Sequence, residues 1–555
     1  MLTALLVALA AAPSPAPSPA EKAAERAITA DVLRAHTRFL ASDLLEGRGP
    51  STRGDQLGQE YIAAQFEALG LRPAAPGGGW YQRFDVVGVT GHPQKLSLAA
   101  GTRRLELSFH DDFIAVSGKQ AASSKLAGAE VVFVGYGIVA PEYRWDDYKN
   151  ADLAGKVLLM MNNDPEDDPA LFAGKTRLWY GRWDYKYEMA AKQGAAGAII
   201  IHTAPSAGYP WQVVQTSWSG EQFELPRSGA PALEVKAWVT EEAARRLVAL
   251  GGQDLDALRA SAQKRDFTPV PLGVTASTEF ASEVHPRFTG NVLGLWPGSD
   301  PRLAGEQVVF SAHHDHLGLK AGVSPGEDAI YNGAMDNASG VAGMLAVAKA
   351  LASMPRAPRR SIVFAATAAE EQGLLGARYL VAHPTAPLGR IAADVNIEGS
   401  NIWGRTRDVT LVGLGKSSVD AFVLPLAAAQ GRAVKPDPMP ERGMFYRQDG
   451  FQFARQGVPV AYLGSGLDYR DRPDGWGRKQ RDEWVETHYH RPNDELVDTW
   501  DLSGAVEDTR LYFELGVALA NAPAMPEWTK GDEFEAARKR SLEALKATPS
   551  TAARP

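Results

Sequence analysis

The sequence predicts an α/β fold in which a mixed, mainly parallel sheet is flanked by helices, together with a compact α+β segment. Three observations predict it. From residue 286 onward, apolar strands alternate with amphipathic helices, the pattern of a largely parallel sheet. Between residues 126 and 275, short apolar strands are separated by aromatic, turn-rich loops, as in a separate α+β block. The length of 555 residues exceeds that of one ordinary domain.

At the N-terminus, residues 1–20 read MLTALLVALAAAPSPAPSPA, which is typical of a secretory signal followed by a spacer. No Lys or Arg precedes the apolar run, and the alternative is a disordered Ala/Pro tail. The run is too short to span a bilayer, and no later stretch is long and apolar enough to do so. We therefore expect an exported protein, periplasmic or extracellular, without stable membrane insertion.

Two segments precede the predicted parallel sheet. Residues 27–73 predict two helices around a glycine-rich loop, the second ending at Gly70. The stretches KLSLAA and RLELSF then predict short strands. Within 126–275, YEMAAKQGAAGAIIIHTAP predicts a helix, a glycine turn and a buried strand.

The block 286–525 supplies the predicted parallel sheet. Strands are predicted at 306–312, 361–367, 394–399, 408–414 and 459–465. A helix is predicted over 337–354, with one apolar side made of Val341, Met344, Leu345, Ala348 and Leu351. Residues 526–555 form a charged, Ala-rich tail, which predicts a last helix followed by disorder.

Composition narrows the possible functions. The formal net charge is −8 and there is no basic stripe, which argues against a nucleic-acid partner. The chain has no cysteine, which excludes disulfides and thiolate metal sites. Any tight metal site must therefore use nitrogen and oxygen ligands.

Imidazoles and carboxylates follow the predicted strands at the points where ligands bind in open α/β sheets. These residues are His313, Asp315, Asp336, Glu370, Glu371, Glu398 and His490. Such a mixed set suits zinc, with manganese or cobalt as weaker candidates. Each motif alone also has an ordinary structural interpretation, such as a helix cap at Asp336. Burying so many carboxylates together without a cation, however, costs on the order of several kcal/mol per charge.

The carboxylates can serve as metal ligands, as a general base and as a bridge between metals. One of the adjacent glutamates can bind metal while its neighbour acts as general base toward a water that the metal has acidified. A pair of metals roughly 3.5–4 Å apart needs a bridging carboxylate. Asp336 is the candidate, because it precedes a helix N-terminus whose dipole favours an anion.

Five motifs occur in a characteristic order: AHHDHLG, GAMDNASGVAGML, AEEQGLLGARYL, VNIEG and HYHRPNDE. In this order they resemble the co-catalytic zinc aminopeptidase family, which includes bacterial leucine-type aminopeptidases, glutamate carboxypeptidase and the glutaminyl cyclases. The block 126–275 resembles a protease-associated domain inserted into the peptidase. The resemblance thus implies a signal and spacer at 1–20, peptidase segments at 21–125 and 286–525, the insert at 126–275 and a tail at 526–555.

The resemblance also implies roles for individual residues. The two-zinc ligand set would be His313, Asp336 as the bridge, Glu371, Glu398 and His490. Glu370 would be the general base, Asp315 would orient His313, and Tyr489 would face the oxyanion. Weaker pocket candidates are Arg447, Asp449 and Phe453. Relatives often carry Asn-Leu-Asp where this chain has Asn396-Ile397-Glu398, so Asp394 is the alternative to Glu398.

The function implied is an exopeptidase that removes N-terminal amino acids from peptides, using two zinc ions per chain. Alternatives of the same fold are a carboxypeptidase or dipeptidase, and a glutaminyl cyclase with a single zinc. A further alternative is a non-catalytic protein that binds partners through the protease-associated domain. Whether that domain gates the cleft or only packs against it stays open. The family suggests no role for His314, His316 or His488, which are interpreted as hydrogen-bonded residues near the ligands.

Overall fold

The structure is a computed structural model that describes residues 17–168, 171–227, 229–320 and 324–547. Residues 1–16 of the predicted signal segment lie outside the described residues, as do residues 548–555 of the predicted tail. A first helix already begins at Pro19. No helix in the described ranges is both long and apolar enough to cross a bilayer.

The strands fall along the whole chain. In order they are β1 Arg72–Pro73, β2 Tyr81–Gly91, β3 Lys95–Ala100, β4 Arg103–Ser108, β5 Phe113–Ser117, β6 Ser123–Phe133, β7 Val139–Ala140, β8 Trp145–Asp146, β9 Val157–Met161, β10 Gly197–His202, β11 Glu221–Glu224, β12 Val235–Thr240, β13 Val270–Trp296, β14 Gln307–His313, β15 Gly318–Leu319, β16 Ile330–Tyr331, β17 Ser361–Thr367, β18 Ile391–Asn396, β19 Asp408–Val412, β20 Ala433–Pro436 and β21 Val460–Ser465.

The α-helices alternate with these strands in the C-terminal half. In order they are α1 Pro19–Ala24, α2 Ala30–Leu40, α3 Arg53–Ala68, α4 Trp183–Lys192, α5 Ala204–Ala207, α6 Trp211–Ser217, α7 Glu241–Leu250, α8 Leu255–Ala262, α9 Ser339–Ala352, α10 Leu375–Ala382, α11 Asp420–Ala429, α12 Gly450–Arg455, α13 Trp476–Thr487, α14 Ser503–Asn521 and α15 Glu535–Ala547.

The first sheet runs from edge to edge in the order β11, β2, β13, β17, β14, β18, β21, β19, β20. Its centre, from β17 through β14 and β18 to β21, is parallel, and antiparallel strands extend it on both sides. The predicted mixed α/β fold with a parallel core is therefore confirmed.

The central strands are buried along their whole length. Every residue of β14, β17 and β18 is buried, because helices cover both faces of the sheet. On one face, Phe310 and Phe364 stack with ring centroids 5.4 Å apart and pack in a core with α9 and α14. On the other face, Val309 and Val363 belong to the core that holds α12. Both cores stabilise the edge of the sheet where the strands end.

The second sheet is built around the long strand β13. It runs in the order β4, β3, β13, β6, β9, β10, β12, β5, with β6, β9, β10 and β12 parallel to one another. Strands β3, β4 and β5 pair within this sheet, although they precede the predicted boundary between residues 125 and 126. The predicted boundary between 275 and 286 falls inside β13, which runs from one sheet into the other. The domain boundaries stay a prediction.

Candidate metal centre

The ends of the parallel strands bring the predicted residues to one edge of the sheet. His313 is the last residue of β14, Glu370 and Glu371 follow β17, and Glu398 follows β18. Because these three strands are parallel neighbours, their carboxyl ends lie side by side. The fold therefore assembles the candidate ligands from stretches that are far apart in sequence.

Asp336 lies between two imidazoles. Its Oδ1 is 3.2 Å from His313 Nε2, and its Oδ2 is 3.3 Å from His490 Nε2. The same His490 nitrogen is 3.1 Å from Glu371 Oε2. Each carboxylate oxygen of Asp336 thus faces a different histidine, which is the arrangement expected of a group that bridges two cations.

Two further carboxylates hold this arrangement in place. Asp315 is fully buried beside His313 and accepts the backbone N–H groups of Glu370 at 3.0 Å and Glu371 at 3.4 Å. Asp494 accepts the backbone N–H of Asp336 at 3.1 Å. Asp494 lies within the HYHRPNDE motif but has no predicted role, since its acceptor function depends on a loop more than 150 residues away.

Glu398 and Asp394, the alternative predicted ligands, occupy different places. Glu398 lines the same cleft as Asp336, Glu370 and Glu371, and accepts a hydrogen bond from Asn396 Nδ2 at 3.2 Å. Asp394 lies inside β18, fully buried, where it accepts a hydrogen bond from Ser311 Oγ at 3.1 Å. The placement therefore favours Glu398 over Asp394.

The buried charges perturb one another strongly. Burial works against charge on His490, yet Glu371 and Asp336 raise its pKa to about 9. Burial likewise opposes ionisation of Glu371, but His490 and His316 lower its pKa to about 2. Burial and neighbouring carboxylates raise the pKa of Glu398 to about 8 and that of Glu370 well above its ordinary value. The carboxylates thus favour the protonated form of the imidazoles, as expected of a cluster with excess negative charge.

The remaining histidines of the two motifs differ in their surroundings. His316 Nδ1 is 2.7 Å from Glu371 Oε1, so it supports that carboxylate directly. His314 Nε2 is 2.9 Å from Asp55 Oδ1, which ties the centre to α3. The ring of His488 contacts the hydroxyl of its neighbour Thr487 at 2.7 Å and is partly exposed. Only His316 reaches a candidate ligand, and the AHHDHLG motif gives no means to tell it from His314.

A cleft opens beside the carboxylates. Tyr489 and Arg447 line it, and Arg447 Nη2 donates a hydrogen bond to the Tyr489 hydroxyl at 3.1 Å. Asp449 is fully buried behind the cleft, where it accepts a hydrogen bond from Thr367 Oγ1. Phe453 lies in α12 with 1% of its surface exposed and packs in the hydrophobic core. Of the three predicted pocket residues, Arg447 is the one that lines the cleft.

The second sheet and its helices also reach the centre. Ser217, the last residue of α6, places its Oγ 2.8 Å from His490 Nδ1. Tyr209 lies under the Arg447 guanidinium, with 5.0 Å from Cζ to the ring centroid. Neither residue belongs to a motif that sequence inspection could single out, because each acts only through the folded arrangement.

Comparison with known proteins finds similarity in the part of the chain that holds the predicted metal ligands. Residues 291–513, the stretch that holds all the predicted metal ligands, match peptidase family M28. A vacuolar membrane protease of Yarrowia lipolytica is 27% identical over 208 residues, which cover 36% of this chain and 18% of that protein. Leupeptin-inactivating enzyme 1 of Streptomyces exfoliatus is 25% identical over 249 residues, 44% of this chain and 51% of that protein. The chain thus spans about half or less of the length of these two relatives.

Among solved structures, an aminopeptidase from Aneurinibacillus sp. strain AM-1 superposes with a TM-score of 0.53 at 20% identity, over 92% of this chain and 97% of that one. This likeness supports the fold. The histidine–carboxylate cluster at the carboxyl ends of the parallel strands is a candidate metal centre. Through residues 291–513, the chain is similar to peptidase family M28.

Proposed function

We propose that the protein is a zinc-dependent aminopeptidase that hydrolyses the first peptide bond of substrates with a free N-terminus. The observation that carries the proposal is Asp336, whose two oxygens face His313 and His490 in a buried cluster of carboxylates. The match of this segment to peptidase family M28 supports the same reaction class.

The residues present fit zinc. His313 Nε2 and His490 Nε2 lie 3.2 and 3.3 Å from the two oxygens of Asp336, and Glu371 Oε2 lies 3.1 Å from the same His490 nitrogen. Imidazole nitrogen and carboxylate oxygen are ligands that zinc accepts. We assign His313, Glu398 and the shared Asp336 to one ion, and His490, Glu371 and Asp336 to the other. When bound, the ions would supply Lewis acidity that polarises the scissile carbonyl and acidifies water.

Glu370 is assigned the proton transfer. Its side chain lines the cleft, with Oε2 4.0 Å from His313 Nε2, and its backbone N–H is held by Asp315. Burial and nearby carboxylates raise its pKa, which makes a carboxylate better able to accept a proton. Glu370 takes the proton of the attacking water on a carboxylate oxygen and passes it to the departing amine.

Tyr489 is assigned to the substrate oxyanion. Its hydroxyl already accepts a hydrogen bond from Arg447, so its own proton can be donated toward the cleft. A donor held in place before the reaction stabilises the developing negative charge without reorganisation.

The segment 126–275 is assigned a part in the centre. Ser217 would orient His490, because a ligand histidine is fixed by the partner of its other ring nitrogen. Tyr209 supports Arg447. We therefore propose that this segment shapes the cleft rather than serving only as a separate interaction module.

The test is a panel of aminoacyl fluorogenic substrates with acetylated controls, assayed before and after chelation. We expect cleavage of free-amine substrates, none of acetylated ones, and loss of cleavage on chelation. Cleavage of blocked substrates would point to another peptidase class, and activity that resists chelation would contradict the zinc assignment. Export stays a prediction from residues 1–20, to be checked by fractionation of producing cells.

A further inference from the structure

The cleft beside the metal candidates is also lined by positive charge. Three guanidinium groups line it, those of Arg442, Arg447 and Arg481. The carboxylates that line it all belong to the proposed zinc centre. Two divalent cations would balance these carboxylates, so the guanidinium groups would then determine the charge that the remaining cleft presents.

The three arginines differ in how far their charge is already compensated. Arg442 Nη2 is 2.9 Å from Asp482 Oδ1, and Asp482 also binds Arg478 at 2.8 Å. Arg447 donates to the uncharged phenol of Tyr489 and lies over the ring of Tyr209. Neither interaction brings a full countercharge to Arg447.

The side chain of Arg481, on α13, makes no hydrogen bond or ion pair with another residue in the described parts of the chain. Its charge acts at longer range on Tyr462, Tyr469 and Asp437, and Arg442 acts on Asp437 as well. Tyr462 and Tyr469 line the same cleft. A guanidinium that has no ion-pair partner of its own can bind a carboxylate through paired, charge-assisted hydrogen bonds.

We propose that Arg481, with Arg442 nearby, forms a carboxylate-binding subsite, and that the preferred substrates are short peptides with a carboxylate close to the scissile bond. This proposal rests on the proposed aminopeptidase function, because the peptides bound at the subsite are substrates only if the protein is an aminopeptidase. The carboxylate has two possible sources: the side chain of an acidic residue in the first or second position, or the free C-terminus of a dipeptide or tripeptide.

The experiment compares three pairs of peptides in which a neutral amide replaces the carboxylate. The pairs are Glu-Leu-amide against Gln-Leu-amide, Leu-Glu-amide against Leu-Gln-amide, and Leu-Leu against Leu-Leu-amide. We expect the zinc-loaded protein to favour the carboxylate in at least one pair by about tenfold or more in kcat/KM, as a charged hydrogen bond allows. The pair that discriminates identifies the source of the carboxylate.

Arg481→Gln should reduce that preference to within about twofold, since glutamine keeps a donor but removes the charge. Lys479→Gln is the matched control, because Lys479 is an exposed cation on the same helix that does not line the cleft. It should keep the preference. Circular dichroism and the unfolding temperature establish that both variants are folded.

Equilibrium binding separates this inference from the proposed function. The same peptides are titrated by calorimetry into zinc-treated Glu370→Gln protein, in which binding can be measured without turnover. Tighter binding of a carboxylate peptide that is lost in Arg481→Gln supports the subsite even if no peptide is hydrolysed. Equal binding of both members of every pair, or a preference that survives Arg481→Gln, overturns the subsite even if the aminopeptidase assignment holds.

Discussion

Replacing Ser217 by alanine tests whether the segment 126–275 takes part in the metal centre. The Ser217 hydroxyl lies 2.8 Å from His490 Nδ1, and His490 is 6% exposed. Without that partner, the ring nitrogen is left unpaired at a site that water reaches poorly. An unsatisfied buried polar group costs about 1–3 kcal/mol. Because about 1.4 kcal/mol corresponds to a factor of ten, zinc affinity should fall by about 10- to 100-fold.

The assay is a zinc titration of metal-free protein in competition with a chromophoric chelator, which reports affinity independently of turnover. Ser219→Ala is the control: the same chemical change is made two residues away, where the hydroxyl donates to the Gln215 carbonyl. Zinc affinity within about twofold of the unaltered protein in Ser217→Ala, or an equal loss in Ser219→Ala, would refute the reasoning.

Three other predictions concern the proton acceptor, the metal and pH. Glu370→Gln should lower kcat by about 10²- to 10⁴-fold while zinc content, measured by atomic emission, stays unchanged; a fall in zinc content would instead make it a ligand. Chelation should abolish cleavage and lower the unfolding temperature, because the buried carboxylates lose their counterions, and zinc should restore both. Burial lowers the pKa of His202 from 6.5 to about 4, so the folded state binds fewer protons in that interval and stability falls as the pH drops through it. His202→Gln should reduce this acid-induced loss of folding stability by up to about 3 kcal/mol, measured by urea unfolding above pH 6.5 and below about pH 4. An unchanged loss of stability would contradict the assignment.

The central strands could be predicted because burial on both faces leaves an unbroken apolar run. The strand predicted at 361–367 is observed as β17 with the same bounds, and the one predicted at 306–312 is observed one residue later as β14. The helix predicted over 337–354 begins two residues late, at Ser339. The reason is a tertiary contact: the side chain of Asn337 binds the backbone of Ile397 and Gly399, which keeps Asn337 outside the helix.

What sequence reasoning missed depends on contacts between distant segments. Ser217 and Arg481 have no local signal, since a serine at a helix end and an arginine on a charged helix are ordinary. Their roles arise only in the folded protein, where α6 contacts His490 and α13 lines the cleft. Phe453 was predicted near the substrate on its motif, yet α12 turns that side chain into the core. Pairing partners of short strands such as β3 are likewise set by the fold as a whole.

The central claim, that Asp336 joins two cations, is tested most directly by anomalous diffraction from crystals of the zinc-loaded protein, with data collected on both sides of the zinc absorption edge. The account predicts two peaks roughly 3.5–4 Å apart, one beside His313 and one beside His490, each in contact with Asp336. One peak only, or peaks that leave Asp336 without a metal contact, would contradict it.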